Sequence, residues 1–195
     1  MANKDAAFGF RPIGKVGQNK DNQGLSEYNI AANSSAIYQN DTVQFLATGY
    51  IGVADTTTAV LLGSLNGVFY TDTADQKPRW ANHLAASNAA TDIVGFVSDD
   101  PYERFEVQSS TTLAIADIGK NADIVYAAGA SPNFVSKVEV DTTTGNMTSA
   151  TAQFRVVSVA KDIENSELSN ATTYAANVNV VGIINEHFLK QTAGI

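Results

Sequence analysis

The sequence predicts an all-β fold, a small barrel or sandwich, entered through an extended N-terminal arm. Three observations predict it. Apolar residues recur with period two in short runs, the signature of half-buried strands. Turn residues interrupt those runs about every 8–12 positions, as in sandwiches and small barrels. The opening, Ala6-Ala7-Phe8-Gly9-Phe10-Arg11-Pro12-Ile13-Gly14-Lys15-Val16-Gly17, has apolar groups without either period, broken by Gly and Pro. It is followed by the polar stretch Gln18 to Gly24. This gives an arm over residues 1–24 and a β-rich domain over 25–195, with a possible seam near 71–90.

Within the domain, Leu25 to Ile30 alternates and reads as the first strand. Asn33-Ser34-Ser35 is a turn. Ile37 to Leu46 gives two strand fragments on either side of Asn40-Asp41, and Tyr50 to Ala54 gives a third. Gly67 to Tyr70 is a compact strand, Thr71 to Pro78 a polar excursion, and Trp80 to Ala90 an Ala-rich loop diluted by Asn82, Ser87 and Asn88. Ile93 to Val97 is a buried strand. Asp99-Asp100-Pro101-Tyr102 is a turn, with Pro where its fixed φ suits. Phe105 to Gln108 alternates, Ala116 to Ala122 holds a single helical turn, and Ile124 to Tyr126 is again extended. Val135 to Val140 and Ala152 to Val156 read as a hairpin closed by residues 141–146, where Gly145 supplies a positive φ. At Val157-Ser158-Val159 the apolar face switches, which predicts a bulge. Asp162 to Thr173 reads as a loop, Asn177 to Ile184 as the last strand, and Gln191 to Ile195 as a frayed tail.

Composition narrows the function. Of 195 residues, 44% are apolar, enough for a sizeable core, while only 16% are charged; the ordinary charged share is roughly 25%. A surface of neutral polar groups packs against other subunits with few charges to desolvate. The net charge of −8, with basic residues scattered singly, argues against phosphate backbones and anionic membranes. The absence of cysteine excludes disulfides and thiolate metal sites. No secretory signal and no membrane-spanning apolar run is legible, which places the protein in a cytosol or in a particle assembled there.

No catalytic constellation emerges, and no cofactor, metal site or catalytic residue is expected. His83 and His187 are isolated from any nucleophile context and read as surface or interface side chains. Asp99-Asp100 lacks the ligand spacing of a calcium loop and reads as turn chemistry. Phosphate-binding glycine loops are missing. The sequons at Asn33, Asn40, Asn146 and Asn170 are what an Asn- and Thr-rich composition produces. Trp80 or the tyrosines leave a sugar-binding face open.

The functional candidates are therefore Phe8, Phe10, Arg11, Pro12 and Ile13, read as a capsid or subunit interface. Aromatics and Arg carry binding energy at interfaces, and Pro12 limits the entropy lost on docking. On this reading the arm finds its apolar environment on a neighbouring molecule, and removal of residues 1–16 leaves the domain folded.

The run Ala6 to Ile13 resembles the opening of small structural proteins encoded beside capsid genes in tailed bacteriophages. Gly95-Phe96-Val97-Ser98-Asp99-Asp100-Pro101-Tyr102-Glu103-Arg104-Phe105-Glu106-Val107-Gln108 is similar to the same proteins, in which a D-P turn precedes an F-x-V-Q strand. The resemblance implies a head decoration, or cement, protein on the outer surface of the icosahedral capsid, with the major capsid protein as partner and a homotrimeric state. It implies no catalytic residues. The rival expectations are a tail-tube or head-tail connector subunit, which forms rings, and a carbohydrate-binding module on the virion.

Overall fold

A computed structural model describes residues 3–17 and 24–191. Strands account for 40% and helix for 3%, so the all-β class holds. The strands are β1 (Arg11–Lys15), β2 (Ser26–Asn29), β3 (Thr42–Phe45), β4 (Ile51–Val53), β5 (Gly63–Thr71), β6 (Pro78–Ala81), β7 (Val94–Ser98) and β8 (Glu103–Gln108). They continue with β9 (Leu113–Ala114), β10 (Asn121–Ala122), β11 (Ile124–Val125), β12 (Glu139–Val140), β13 (Phe154–Val159), β14 (Leu168–Asn170), β15 (Thr173–Tyr174) and β16 (Asn179–Ile184). Two 3₁₀ turns, Ile115–Asp117 and Phe188–Lys190, complete the regular structure.

Two antiparallel sheets organise the chain. One has the order β1-β8-β16-β13-β10; the other runs β2-β7-β5-β3-β4, with β6 also on β5. Strand β5 is nine residues long and serves three neighbours: β7 along one side, and on the other β3, paired with Gly63 and Ser64, and β6, paired with Val68 to Thr71. The smaller sheets are β11-β12 and β14-β15-β9. None closes into a barrel, which leaves the sandwich of the two expected forms.

Each large sheet has its own apolar cluster. Phe10, Phe105, Val107, Phe154, Val156, Val180 and Ile184 belong to the cluster of the five-stranded sheet. Ile30, Val43, Ile51, Leu65, Val68, Ile93 and Val97 belong to that of the six-stranded sheet. The two meet at Leu61-Leu62. Successive side chains of an extended chain point to opposite sides, and here Leu61 enters the first cluster and Leu62 the second, both fully buried.

Several elements match their expected places. The turn at Asp99 to Tyr102 separates β7 from β8, the single helical turn is the 3₁₀ turn at Ile115–Asp117, and Gly145 has φ +94°. The bulge also forms, as a register shift between Val156 and Ser158 where β13 pairs with β16.

Other expectations are corrected. The residues 135–156 do not form a hairpin: β12 pairs with β11, and β13 with β16 and β10. Both runs bury the expected Val138, Val140, Phe154 and Val156, but the alternation fixes only which side chains go inside, not which strand lies alongside. Thr71 to Pro78 is no domain seam; it closes the β5–β6 hairpin inside one sheet. The Ala-rich loop begins with strand residues, since Trp80 lies in β6 opposite Phe69. The loop expected at 162–173 contains β14 and meets β15. Gln18 to Gln23, within the expected polar stretch, and residues 192–195 of the expected frayed tail lie outside the described residues.

Candidate functional site

The N-terminal segment decides where an interface can be. Phe10 is 0% exposed and packs inside its own chain, 5.0 Å from the Phe154 ring, edge to face, and 5.8 Å from Phe105. Its N–H donates to the Asn40 carbonyl at 2.9 Å, and its carbonyl accepts from Ser64 Oγ at 2.7 Å. The ring thus belongs to one cluster while the backbone is tied to residues of the other sheet region. Gly9 makes the approach possible. It has φ +71°, and a Cβ there would stand 2.4 Å from the Asn40 carbonyl oxygen and 2.4 Å from Ser136 Cβ, distances that no real side chain tolerates.

Upstream of Phe10, buried amides bind the strand-free backbone. Gln108 Nε2 and Asn165 Nδ2 donate to the Lys4 carbonyl at 2.9 and 3.0 Å. Gln108 Oε1 accepts from the Ala6 N–H at 2.9 Å, and Asn40 Nδ2 donates to the Phe8 carbonyl at 3.0 Å. The expected free arm is therefore corrected. Polar side chains distant in sequence, one on β8 and two in loops, satisfy a backbone that has no period of its own, and a glycine lets it sit close. Sequence periodicity cannot register either device.

The five candidate residues separate accordingly. Phe10 is core, not interface. Phe8 is half-buried beneath the Arg11 guanidinium, 4.8 Å from its ring centroid. Arg11 also pairs with Glu106 at 2.7 Å. Pro12 is half-buried, and Ile13 remains 40% exposed on β1, an edge strand.

A surface that the sequence did not nominate adjoins Arg11. Residues 160–163 form a ridge between two open grooves. One groove is lined by Arg11, Glu106 and residues 160–164; the other includes Ile118, Val157, Leu168 and Tyr174. Ile163, on the ridge, is 95% exposed, with Leu168 and Val157 also open to solvent. The ridge is fastened from below. Asp162 accepts from Asn179 Nδ2 at 3.1 Å and from the Glu164 N–H at 3.0 Å. Ser166 Oγ donates to the Asp162 carbonyl, and buried Asn165 donates to the Asn177 carbonyl at 3.2 Å. The only sequence signal was an isoleucine inside a polar run.

The remaining titratable candidates are held within the fold. His187 is not a surface group: it is buried, and its Nδ1 accepts from the Leu189 N–H at 3.1 Å, capping the last 3₁₀ turn. Burial, and then the Lys190 charge, push its pKa down to about 4. His83 is half-buried, its ring stacked on Phe134 at 3.9 Å, and burial lowers its pKa. Asp99 accepts from Ser26 Oγ and Tyr28 Oη at 3.0 and 2.5 Å. Asp100 pairs with Lys15 at 2.8 Å and accepts from the Tyr102 N–H. The Lys15 hydrogen bond holds the Asp100 carboxyl below its usual pKa against partial burial. Among the described residues, no group of three or more His, Cys, Asp or Glu is placed to hold a metal ion.

Set against protein-family models, curated proteins and solved structures, the chain matches none. The surfaces must be read from their own chemistry. Among the described residues, no helix is long and apolar enough to cross a membrane.

Proposed function

We propose that this chain is a structural component of a virus particle, a head decoration protein that docks on the outer capsid surface through the ridge at 160–163 and the adjoining edge strand β1. The observation that carries this reading is Ile163: 95% exposed on a segment fastened by Asp162 and Asn165. Burying such a side chain contributes about 1.5–3 kcal/mol, and a loop already fastened in place loses little entropy on binding. Val157 and Leu168 extend the apolar contact in one groove, Arg11 and Glu106 form the polar margin of the other, and Ile13 stands exposed on β1. Low charge and the sequence resemblance to phage decoration proteins support the same reading, with the major capsid protein as partner and a homotrimer as the working state. Several copies bridging capsid seams convert modest contacts into avidity.

The test is co-sedimentation with capsids of the parent phage. Ile163→Asp, and the double variant Ile13→Asp/Ile163→Asp, are expected to abolish binding while leaving the melting temperature unchanged. Normal coating by both variants would sink the proposal. Native mass spectrometry separates trimers from the rings that a tail-tube or connector subunit forms.

A further inference from the structure

The outward face of the six-stranded sheet bears a second surface, remote in sequence from the ridge. Cross-strand pairing places Phe69 opposite both Trp80 and Val94, and Phe96 opposite both Gly67 and Glu27. Their inward neighbours, Val68 and Val97, lie in the core, so this row faces away from it. Gly67 leaves a gap in the row, and the Trp80 indole lies over it. A Cβ at Gly67 would stand 3.1 Å from Trp80 Cζ2 and 3.4 Å from Cε2. Phe96 flanks the indole at 4.5 Å between ring centroids. Supported in this way, Trp80 is still 59% exposed and Phe69 40%. On the same face, Glu27 and Asn29 project from β2, both exposed, and neither side chain is hydrogen-bonded to another described residue.

The chemistry of this row selects its ligand. An indole supported from below and flanked on one side offers a ring surface to something stacked on it. Farther along the row, on β2, a carboxylate and an amide accept and donate hydrogen bonds to hydroxyls. Phosphate backbones are disfavoured: Glu27, Asp72, Asp75 and Asp92 surround the face, and the nearby Arg79 is already paired with Asp72 and Asp75. We propose that this face is a glycan-binding platform on which a neutral oligosaccharide lays one sugar ring on Trp80 and directs hydroxyls to Glu27 and Asn29. The Trp80 and Glu27 backbones are three strands apart, about 14 Å at ~4.8 Å per strand, and the indole reaches back over Gly67. The ligand that meets the ring, Glu27 and Asn29 together is a chain of sugars laid along the row. The inference does not rest on the capsid reading, because it uses different residues on a different sheet.

Trp80 is the sole tryptophan, so its fluorescence reports on this face alone. The full chain is titrated with cello-, malto- and chito-oligosaccharides up to millimolar concentration. The expected result is a saturable change in emission with one of the series. Calorimetry with Trp80→Ala should then show binding weakened by about tenfold or more. Glu27→Gln, which keeps the fluorophore, should weaken binding without changing the unliganded emission. No emission change with any of the three sugars overturns the proposal. So does binding that survives Trp80→Ala unchanged. Loss of capsid co-sedimentation in a folded Trp80→Ala variant assigns the face to a protein partner and overturns it too.

Discussion

Asp41 and His187 are both buried, and burial acts on them with opposite sign. Asp41 is 0% exposed; its Oδ2 accepts from the Tyr38 N–H at 2.7 Å, while Oδ1 has no hydrogen-bond partner among the described residues. Desolvation raises its pKa from 3.8 to about 6. A raised carboxyl pKa means that the folded state holds the proton more tightly, so its contribution to stability is full below about pH 4 and is lost as pH rises through about 6. His187, lowered from 6.5 to about 4, does the reverse: its contribution is full above 6.5 and is lost as pH falls toward 4. Each is worth at most ~3 kcal/mol, and between about pH 4 and 6 the two slopes oppose each other. Denaturant titrations across this range should show Asp41→Asn gaining stability near neutral pH and acquiring a profile that climbs with pH. His187→Gln should acquire a profile that descends. An Asp41→Asn curve merely parallel to the parent would rule out this account. Phe10 supplies a second test at this scale. Truncating a fully buried aromatic to alanine costs about 3–5 kcal/mol, so Phe10→Ala should lower the denaturation midpoint strongly. A change within error would return Phe10 to the surface role that the sequence suggested.

At the scale of elements, the N-terminal segment works as a strap. Phe10 sits in the cluster of the five-stranded sheet, its backbone is tied to Asn40 and Ser64, and β1 pairs with β8 from Arg11 to Lys15. Removing residues 1–16 therefore strips a core side chain, an edge strand and the partners of Gln108 and Asn165 together. The buried Gln108 Oε1 loses its Ala6 donor, and a buried acceptor left unpaired adds about 1–3 kcal/mol to the loss. The truncated chain should unfold at a much lower temperature or lose its cooperative transition in circular dichroism. A truncated chain that melts like the parent would restore the free-arm picture. Gln153 is a comparable fastening in the interior. Its Nε2 donates to the Thr56 and Ala59 carbonyls at 3.0 and 2.7 Å, and its Oε1 accepts from the Ile124 N–H. The period-two pattern of β13 assigns this position outward, yet a loop covers it and it is 1% exposed.

At the scale of the molecule, two separate surfaces offer themselves to partners. The ridge at 160–163 presents one exposed isoleucine, Ile163, on a fastened segment, a form suited to a protein surface. The Trp80 face is aromatic with hydrogen-bonding margins, a form suited to a sugar chain. A net charge of −8 makes copies of the chain repel one another at low ionic strength. Variants at Ile163 and at Trp80 should accordingly fail in different assays, particle binding for the first and oligosaccharide binding for the second. A variant of either kind that fails in both would indicate one shared surface.

The all-β class, the buried strand around Val97, the turn at Asp99 to Tyr102 and the bulge at Val157 were legible in the chain, because each follows from residues adjacent in sequence. Alternation selects inward side chains, Pro and Gly fix turns, and a switch of apolar face marks an extra residue. Strand partners were not legible: the runs at 135–140 and 152–156 each alternate, and alternation is silent about which neighbour completes the ladder. Nor was the fate of Phe10, whose burial depends on Asn40, Ser64, Phe105 and Phe154 converging from two sheet regions. The ridge of Ile163 was hidden for the same reason, and of the Trp80 row the sequence nominates only the tryptophan itself, without Phe69, Phe96, Glu27 or Asn29. An exposed apolar side chain becomes informative only when the surrounding fold shows that it is held in place and uncovered, and that is settled by contacts between residues far apart in the chain.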